Sequence, residues 1–507
     1  MDALLGVDIG TTALKSVLFD FHGRRLWQAD AEYPTRHPAT GWAEQDPDDW
    51  WRAFCHTMRR MTGDIGKVAN IVAIGVSSQA PTMLPVDRSL KPVRPALIWM
   101  DRRSESQCEW LRREVGEERI RSITGNRTDP YYMASELLWF KQTEPELYAH
   151  TRCLLQANGY VNLRLTGELS IDLSHCALTQ LFDIARDCWS TELLVAMGVD
   201  PALLPPVSEC TDVIGRVTAA AAAETGLPVG IPVVAGAVDG VAAALEAGVL
   251  DPGEAAEMTG TSTVLILPVG TPRFSPDLTA SRHALPDTYL LFGAMSTTGA
   301  SLRWFRDQLG AAEVAAAREL GTDPYDMLTS SAGAVPPGAN GVIFLPYMAG
   351  ERAPIWNTNA RGVFAGLSMA TTRADLVRAV LEGSVFALAH NIEAAEGVGV
   401  EVRDLRSVGG GARSPLWCQI KADVLGRPVL LPRTAVGAPF GDAVLAGRGV
   451  GIYPDLKTPV RSTVTVSHRF EPNPEAHDRY REVYRVYRSI YEHLRPDFDR
   501  LAEVQQR

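Results

Sequence analysis

The chain has 507 residues, roughly three times a usual domain length, so two large domains or three smaller ones are expected. With 46% hydrophobic and 21% charged residues it has the makeup of an ordinary globular protein, with apolar material for more than one core. A formal net charge of −11 argues against a nucleic-acid binder, because phosphate backbones select for Lys and Arg, but leaves room for a nucleotide, which needs only a few local donors.

The first 20 residues read as a hairpin: Leu4 to Asp8 is apolar and strand-like, Gly10-Thr11-Thr12 turns, and Ser16 to Phe19 returns. No basic n-region with an apolar stretch precedes it, and no apolar run approaches the ~18 residues of a membrane span. A helix is expected after Asp46, with Pro47 in its first turn and Trp50, Trp51, Phe54, Met58 and Met61 at helical spacing. The apolar run 71–76 ends at Ser77-Ser78-Gln79, as a buried strand feeding a loop would. Strand-like and helical patterns keep alternating, so the class is α/β. A further strand, 231–235, leads through Gly236 to Gly240 into an Ala-rich helix, 241–247. A second hairpin then pairs 255–258 with 264–267 across a Thr-Gly-Thr-Ser-Thr turn. Its Gly260 lies about half the chain from Gly10, and the two hairpins read as an internal duplication. A helix is predicted over 373–396 with Thr372 as its N-cap, then a strand over 405–408 entering Gly409-Gly410-Gly411. After Gly451 a less regular segment precedes a charged helix over about 475–494. The domain boundary is placed near residue 245, giving 1–245 and 246–507. Seven cysteines, an odd number without a CxxC pair, argue against a disulfide framework or zinc site and fit a reducing cytoplasm.

Three glycine-rich turns follow apolar strands: 8–12, 259–262 and 409–412. Glycine lets backbone approach a ligand, and free N–H groups with Thr or Ser hydroxyls suit phosphate oxygens, although each turn alone also fits an ordinary hairpin. Neither a Walker A pattern nor a strand-borne GxGxxG occurs, which disfavours P-loop and Rossmann sites. Asp8, at a strand end beside such a turn, could hold Mg²⁺ or simply cap the turn. Lys15 could offset phosphate charge or stand in solvent. Asp239, at a strand-to-helix junction, suits a helix cap or a base beyond the strand ends.

Taken together these residues resemble the FGGY carbohydrate kinases along almost the whole chain. The resemblance is carried by GVDIGTTALKSVLFD (6–20), GWAEQDPDDWW (41–51), ALIWMDRRS (96–104), AGAVDGVAAALEAG (235–248), EMTGTST (257–263), LPYMAGERAPIWNTNARG (345–362) and SVGGGARSPLWCQIKADVLGRPV (407–429). It implies two actin-like (RNase H-like) domains with an interdomain catalytic cleft where ATP and sugar meet. It makes Asp239 the general base and sets Asp8 near the metal and the transferring phosphate. Gly10, Thr11, Thr12 and Lys15 match the first phosphate loop, Gly260 and Thr261 the second, and Gly410, Gly411, Ala412 and Ser414 the turn beside adenosine. Gln79, Ala80, Trp99, Asp101 and Arg102 fall on the sugar side, where Arg102 and Arg103 could equally form a structural ion-pair cluster. The implied reaction moves the ATP γ-phosphate, with Mg²⁺, onto a hydroxyl of a ketopentose such as xylulose, with gluconate or a polyol as alternatives. Family habit adds a homodimer. Departures fall on the substrate side: Ala80 and Pro81 lack hydrogen-bonding side chains, Gly240 follows the base, and Met133, Glu136 and Asn158 are unusual for the family. An actin-like or chaperone-like ATPase and a sugar sensor without turnover are the competing readings.

Overall fold

The computed structural model describes residues 1–65, 70–433 and 437–505. The chain forms two compact units, one of Met1–Leu250, Val269–Leu290 and Val436–Thr465, the other of Asp251–Pro268, Leu291–Ala435 and Val466–Arg507.

The first unit is built on a mixed sheet ordered Val213–Arg216, Pro232–Val234, Asn70–Ser78, Asp2–Ile9, Ala13–Phe19, Arg25–Glu32, with Ala237–Val238 also pairing Asn70–Ser78. Asp2–Ile9 runs antiparallel to Ala13–Phe19 and parallel to Asn70–Ser78, which sets Asp8 opposite Lys15 on one side and Ser77 on the other. Alternation along the first strand sends Leu5, Val7 and Ile9 into a core shared with Trp50, Phe54 and Met58 of the helix Pro47–Ile65. The opposite face carries Leu4, Gly6 and Asp8, and here two glycines decide the packing. A Cβ on Gly6 would lie 1.9 Å from the Pro439 carbonyl oxygen, and one on its cross-strand partner Gly75 2.2 Å from that of Asp442. The helix Pro439–Gly449 therefore rests directly on the sheet backbone, and Asp442 comes down beside Ser77. A smaller four-stranded sheet of Glu44–Gln45, Ala96–Ile98, Thr82–Asp87 and Thr151–Leu155 carries Gln45 and leads into Trp99.

The second unit repeats the plan. Its strands run Tyr289–Met295, Thr263–Val269, Gly253–Thr259, Val402–Gly409, Val429–Pro432, Val466–Phe470. Again a hairpin lies beside a parallel neighbour: Gly253–Thr259 is antiparallel to Thr263–Val269 and parallel to Val402–Gly409. The next strand is again parallel and the one after antiparallel, as in the first unit. The duplication read from the two hairpins thus extends over both sheets.

The expected helix 373–396 is present as Arg373–Glu396, opened by a reciprocal cap: Thr372 Oγ1 accepts the Asp375 amide at 3.3 Å and Asp375 Oδ2 accepts the Thr372 amide at 2.7 Å. Two expectations need correcting. The segment after Gly451 is regular: a helix, Lys457–Thr463, precedes the strand Val466–Phe470. That strand is exposed on four of its five residues, so it has no apolar alternation to read; backbone pairing with Val429–Pro432 holds it. The last helix is longer than its charged stretch, spanning Pro474–Gln505 through Pro496. Buried Tyr480, Tyr487, Tyr491 and Phe498 recur on one face and outweigh the hydrogen bond that Pro496 removes. Among the described residues, no helix is long and apolar enough to cross a membrane.

Candidate active site

In the first unit Asp239 opens the helix Asp239–Glu246, directly after the strand Ala237–Val238. Its Oδ1 accepts the Gly240 amide at 2.6 Å, which leaves Oδ2 for other work. Burial pushes its pKa up to about 6, against the Gly240 hydrogen bond and the nearby His175. Asp8 is pushed up to about 7, first by burial and next by the negative charge of Asp239; Lys15 pulls it down and Glu246 raises it again. Asp8 Oδ1 is buried without a hydrogen-bond partner. Asp442 completes the acidic group. It is fully buried, accepts from Ser77 Oγ at 2.8 Å, and burial with the charge of Asp8 holds it well above the carboxylate range. Among the described residues no set of three or more His, Cys, Asp or Glu is arranged as a metal cluster. The orphaned oxygen of Asp8 does fit Mg²⁺, which takes one or two carboxylates and completes its octahedron with water and phosphate oxygens.

A buried hydrogen-bond hub fixes the Asp239 backbone. Asp172 caps the short helix Leu173–Ala177 and accepts from Ser174 Oγ, His175 Nδ1 (2.6 Å) and Asn158 Nδ2 (3.1 Å). Ser174 Oγ in turn accepts the Val238 amide at 2.9 Å, one residue before Asp239, and His175 Nε2 lies 3.0 Å from Ser78 Oγ. Burial raises the Asp172 carboxyl, but the His175 ring and the hydrogen bonds outweigh it and hold the pKa low. Asn158, one of the family departures, thus has a partner in the hub.

The turn Gly10–Thr12 closes with the Gly10 amide on the Ala13 carbonyl at 3.1 Å. Thr11 is tied to Gln45 and Trp99: its carbonyl accepts from Gln45 Nε2 at 2.7 Å and its Oγ1 from Trp99 Nε1 at 3.0 Å. Gln45 Oε1 also accepts from Gln79 Nε2 at 2.7 Å, so buried Gln79 is oriented with its own Oε1 unpartnered. Thr12 is exposed, while Ala80 is half-buried. Asp101 is fully buried, and its oxygens accept from the Ala43 amide, the Arg103 amide and the Arg103 guanidinium. Arg103 also pairs with Glu44 at 2.8 Å and lies 3.7 Å from the Trp42 ring centroid, and Arg102 pairs with Asp129. Both Arg102 and Arg103 are thus in ion pairs, and the oxygens of Asp101 are taken by the Ala43 and Arg103 groups.

In the second unit the Gly260 amide bonds the Ser262 carbonyl at 2.8 Å, and nothing lies within 4 Å of a Cβ placed on Gly260. That turn sits on the helix Thr298–Leu309, where a Cβ on Gly299 would fall 1.9 Å from the Gly260 carbonyl oxygen. Thr261 is exposed and its Oγ1 accepts from Arg303 at 2.9 Å. Gly409 adopts φ +84°, Gly410 is exposed, and Gly411 is buried against Thr259, 2.8 Å from where its Cβ would be. Ala412 is half-buried, its carbonyl accepting from Cys418 Sγ at 3.6 Å. Ser414 caps the helix Pro415–Leu425 by accepting the Trp417 amide at 3.3 Å.

Sequence reasoning assigned no role to Asp172, His175, Asp442 and Glu351. The last is buried, lifted to about 7 by burial against hydrogen bonds from the Ser296 and Arg352 amides. The available signals were a Gly-Asp pair at 441–442 inside an apolar helix and the Glu of the GERAPIW stretch.

Residues 3–246 match the model of the FGGY family of carbohydrate kinases, N-terminal domain, and residues 255–450 that of its C-terminal domain. The chain is 29% identical over 498 residues to a xylulose kinase of Bacillus subtilis, covering 98% of each chain. It is equally 29% identical over 504 residues to a gluconokinase of the same organism, covering 99% of this chain and 98% of that one. The crystal structure of xylulose kinase from Rhodospirillum rubrum superposes with a TM-score of 0.90 at 31% identity, over 98% of this chain and 100% of that one.

Proposed function

Because the chain belongs to the FGGY family of carbohydrate kinases, we propose that it transfers the γ-phosphate of ATP to a hydroxyl of a small sugar, a ketopentose such as xylulose, with Asp239 as the base. The observation that carries the reading is the pair of half-buried carboxylates at the ends of the two strands that flank Asn70–Ser78: Asp239 with one oxygen left by its Gly240 bond, and Asp8 with an orphaned one. Phosphoryl transfer asks little of its base, since the attacking hydroxyl loses its proton late, and a carboxylate with a pKa of about 6 is ionised at neutral pH. In this reading Asp239 orients the hydroxyl and takes its proton. Gln79 Oε1 accepts a sugar hydroxyl, and Trp99 and Arg102 lie on the same side. Thr11, Thr12 and Lys15 meet phosphate, and Gly260, Thr261 and the Gly410–Ser414 turn take the nucleotide. Mg²⁺ held by Asp8 would neutralise phosphate charge.

Xylulose kinases recur among the similar proteins, which favours a ketopentose as the first reading. The gluconokinase of equal identity makes gluconate the second reading. ADP release across a panel of ketoses, sugar acids and polyols separates them. Stimulation by xylulose supports the first and by gluconate the second; hydrolysis indifferent to every compound would reject sugar phosphorylation. Asp239→Asn is expected to lower sugar-dependent turnover by ~10²- to 10⁴-fold while ADP binding persists. Near-normal turnover would remove Asp239 from its role.

A further inference from the structure

The strand Gly253–Thr259 ends at the turn assigned above to the nucleotide, and beneath that turn lies a buried charged group to which neither the resemblance nor the similar proteins give a role. Glu257 has no exposure and Lys421, from the helix Pro415–Leu425, is 2% exposed. Lys421 Nζ pairs with Glu257 Oε1 and donates to Ser407 Oγ at 2.9 Å; Ser407, which is opposite Glu257 in the parallel register, donates to the same carboxylate oxygen. The other oxygen, Oε2, accepts from Thr259 Oγ1. From Thr259 a row of hydroxyls continues to Thr263 Oγ1 at 2.8 Å and on to Thr298 Oγ1 at 2.6 Å. Thr259 and Thr263 are the two residues that bracket the turn 260–262, and Thr298 is the first residue of the helix on which that turn rests.

The same group also touches the other nucleotide-side turn. A Cβ on Gly411 would lie 2.8 Å from the Thr259 side chain and 3.4 Å from Lys421 Nζ, and one on Gly409 2.6 Å from the Thr259 carbonyl oxygen. Two loops distant in sequence are thus referenced to one threonine, and that threonine to one carboxylate. A buried ion pair is a poor source of net stability but a strong source of fixed geometry, because either charge left alone is costly to displace.

We infer that Glu257 and Lys421 are positioning residues for the nucleotide: without touching it, they set the separation and orientation of the Gly260 and Gly411 turns through Thr259. The inference rests on the assignment of those turns to the nucleotide.

The test uses the full-length protein and two readouts, calorimetric titration with MgADP and the separate KM values for ATP and sugar. Lys421→Met and Glu257→Gln each leave one polar partner buried and are expected to lower the thermal midpoint; the double variant, which removes both charges, is the folded control. In that double variant MgADP affinity is expected to weaken, and the KM for ATP to rise, by on the order of 10- to 100-fold, with the sugar KM within about twofold of wild type. A folded double variant with unchanged MgADP affinity overturns the inference, as does an equal rise in both KM values, which would mark a general loss of structure. Gly260→Val separates this from failure of the underlying assignment. A Cβ at Gly260 meets nothing within 4 Å, so added bulk there is expected to obstruct an approaching ligand, and an unchanged thermal midpoint of the variant checks that the fold is kept. If Gly260→Val leaves MgADP affinity unchanged, the turn is not at the nucleotide and the inference falls with that assignment. If Gly260→Val weakens affinity while the double variant does not, the positioning role alone is lost.

Discussion

Asp239 and Asp8 stand out in the sequence because each follows an apolar strand, but the residues alone fit a helix or turn cap as well, and the base and metal-side roles come from the resemblance to the kinase family. Their electrostatics were not legible there, since beyond burial Asp8 is raised by the charges of Asp239 and Glu246, and Asp239 is lowered by the Gly240 hydrogen bond and His175. Asp239 must be ionised to accept a proton. With its pKa lifted to about 6, sugar-dependent kcat/KM is expected to fall as pH drops through about 6 and to level off above it. A pH profile between 5 and 8 checks this, and an acid limb near 4 would contradict it. Asp442 makes the opposite case. Held protonated by burial and by the charge of Asp8, it is closely imitated by an amide. Asp442→Asn is therefore expected to cost less than about 1 kcal/mol by denaturant melting, whereas Asp442→Ala strands Ser77 Oγ and opens space, for about 1–3 kcal/mol.

At the scale of elements, hairpins and amphipathic helices declared themselves through periodicity, and Thr372 through the cap it provides. Thr372→Ala removes one half of the reciprocal cap and is expected to cost about 1 kcal/mol, read from the denaturation midpoint at unchanged slope. Gly6 and Gly75 gave no such signal, because what makes them necessary is a helix more than 360 residues away in sequence. Gly75→Ala would drive a methyl to 2.2 Å from the Asp442 carbonyl oxygen, and the helix must lift. The expected loss is about 1–3 kcal/mol with a matching fall in kcat, since Asp442 leaves its seat beside Asp8 and Ser77; an unchanged thermal midpoint would refute the close seating. The strand Val466–Phe470 stayed hidden for a different reason: its stability lies in backbone pairing, which composition does not record.

For the molecule as a whole, sequence alone recovered the repeated hairpin, and the structure extends the repeat to both sheets with their parallel and antiparallel senses. Compactness does not follow chain order, however, because residues 269–290 and 436–465 belong with the first unit. Residues 1–250 produced alone are expected to be insoluble or to bind 1-anilinonaphthalene-8-sulfonate strongly, while a version that adds 269–290 and 436–465 through short linkers is expected to fold cooperatively. Equal folding of both would show that the helix Pro439–Gly449 is dispensable to the first sheet.

That helix also sets a timetable. During synthesis the glycine-floored face of the first sheet emerges early and stays bare until the helix Pro439–Gly449 has left the ribosome, so the half of the enzyme that is begun first cannot be finished until most of the other half has been made. A nascent chain halted anywhere before Pro439 lacks Asp442 and the helix that covers Gly6 and Gly75, and its first sheet keeps an open face.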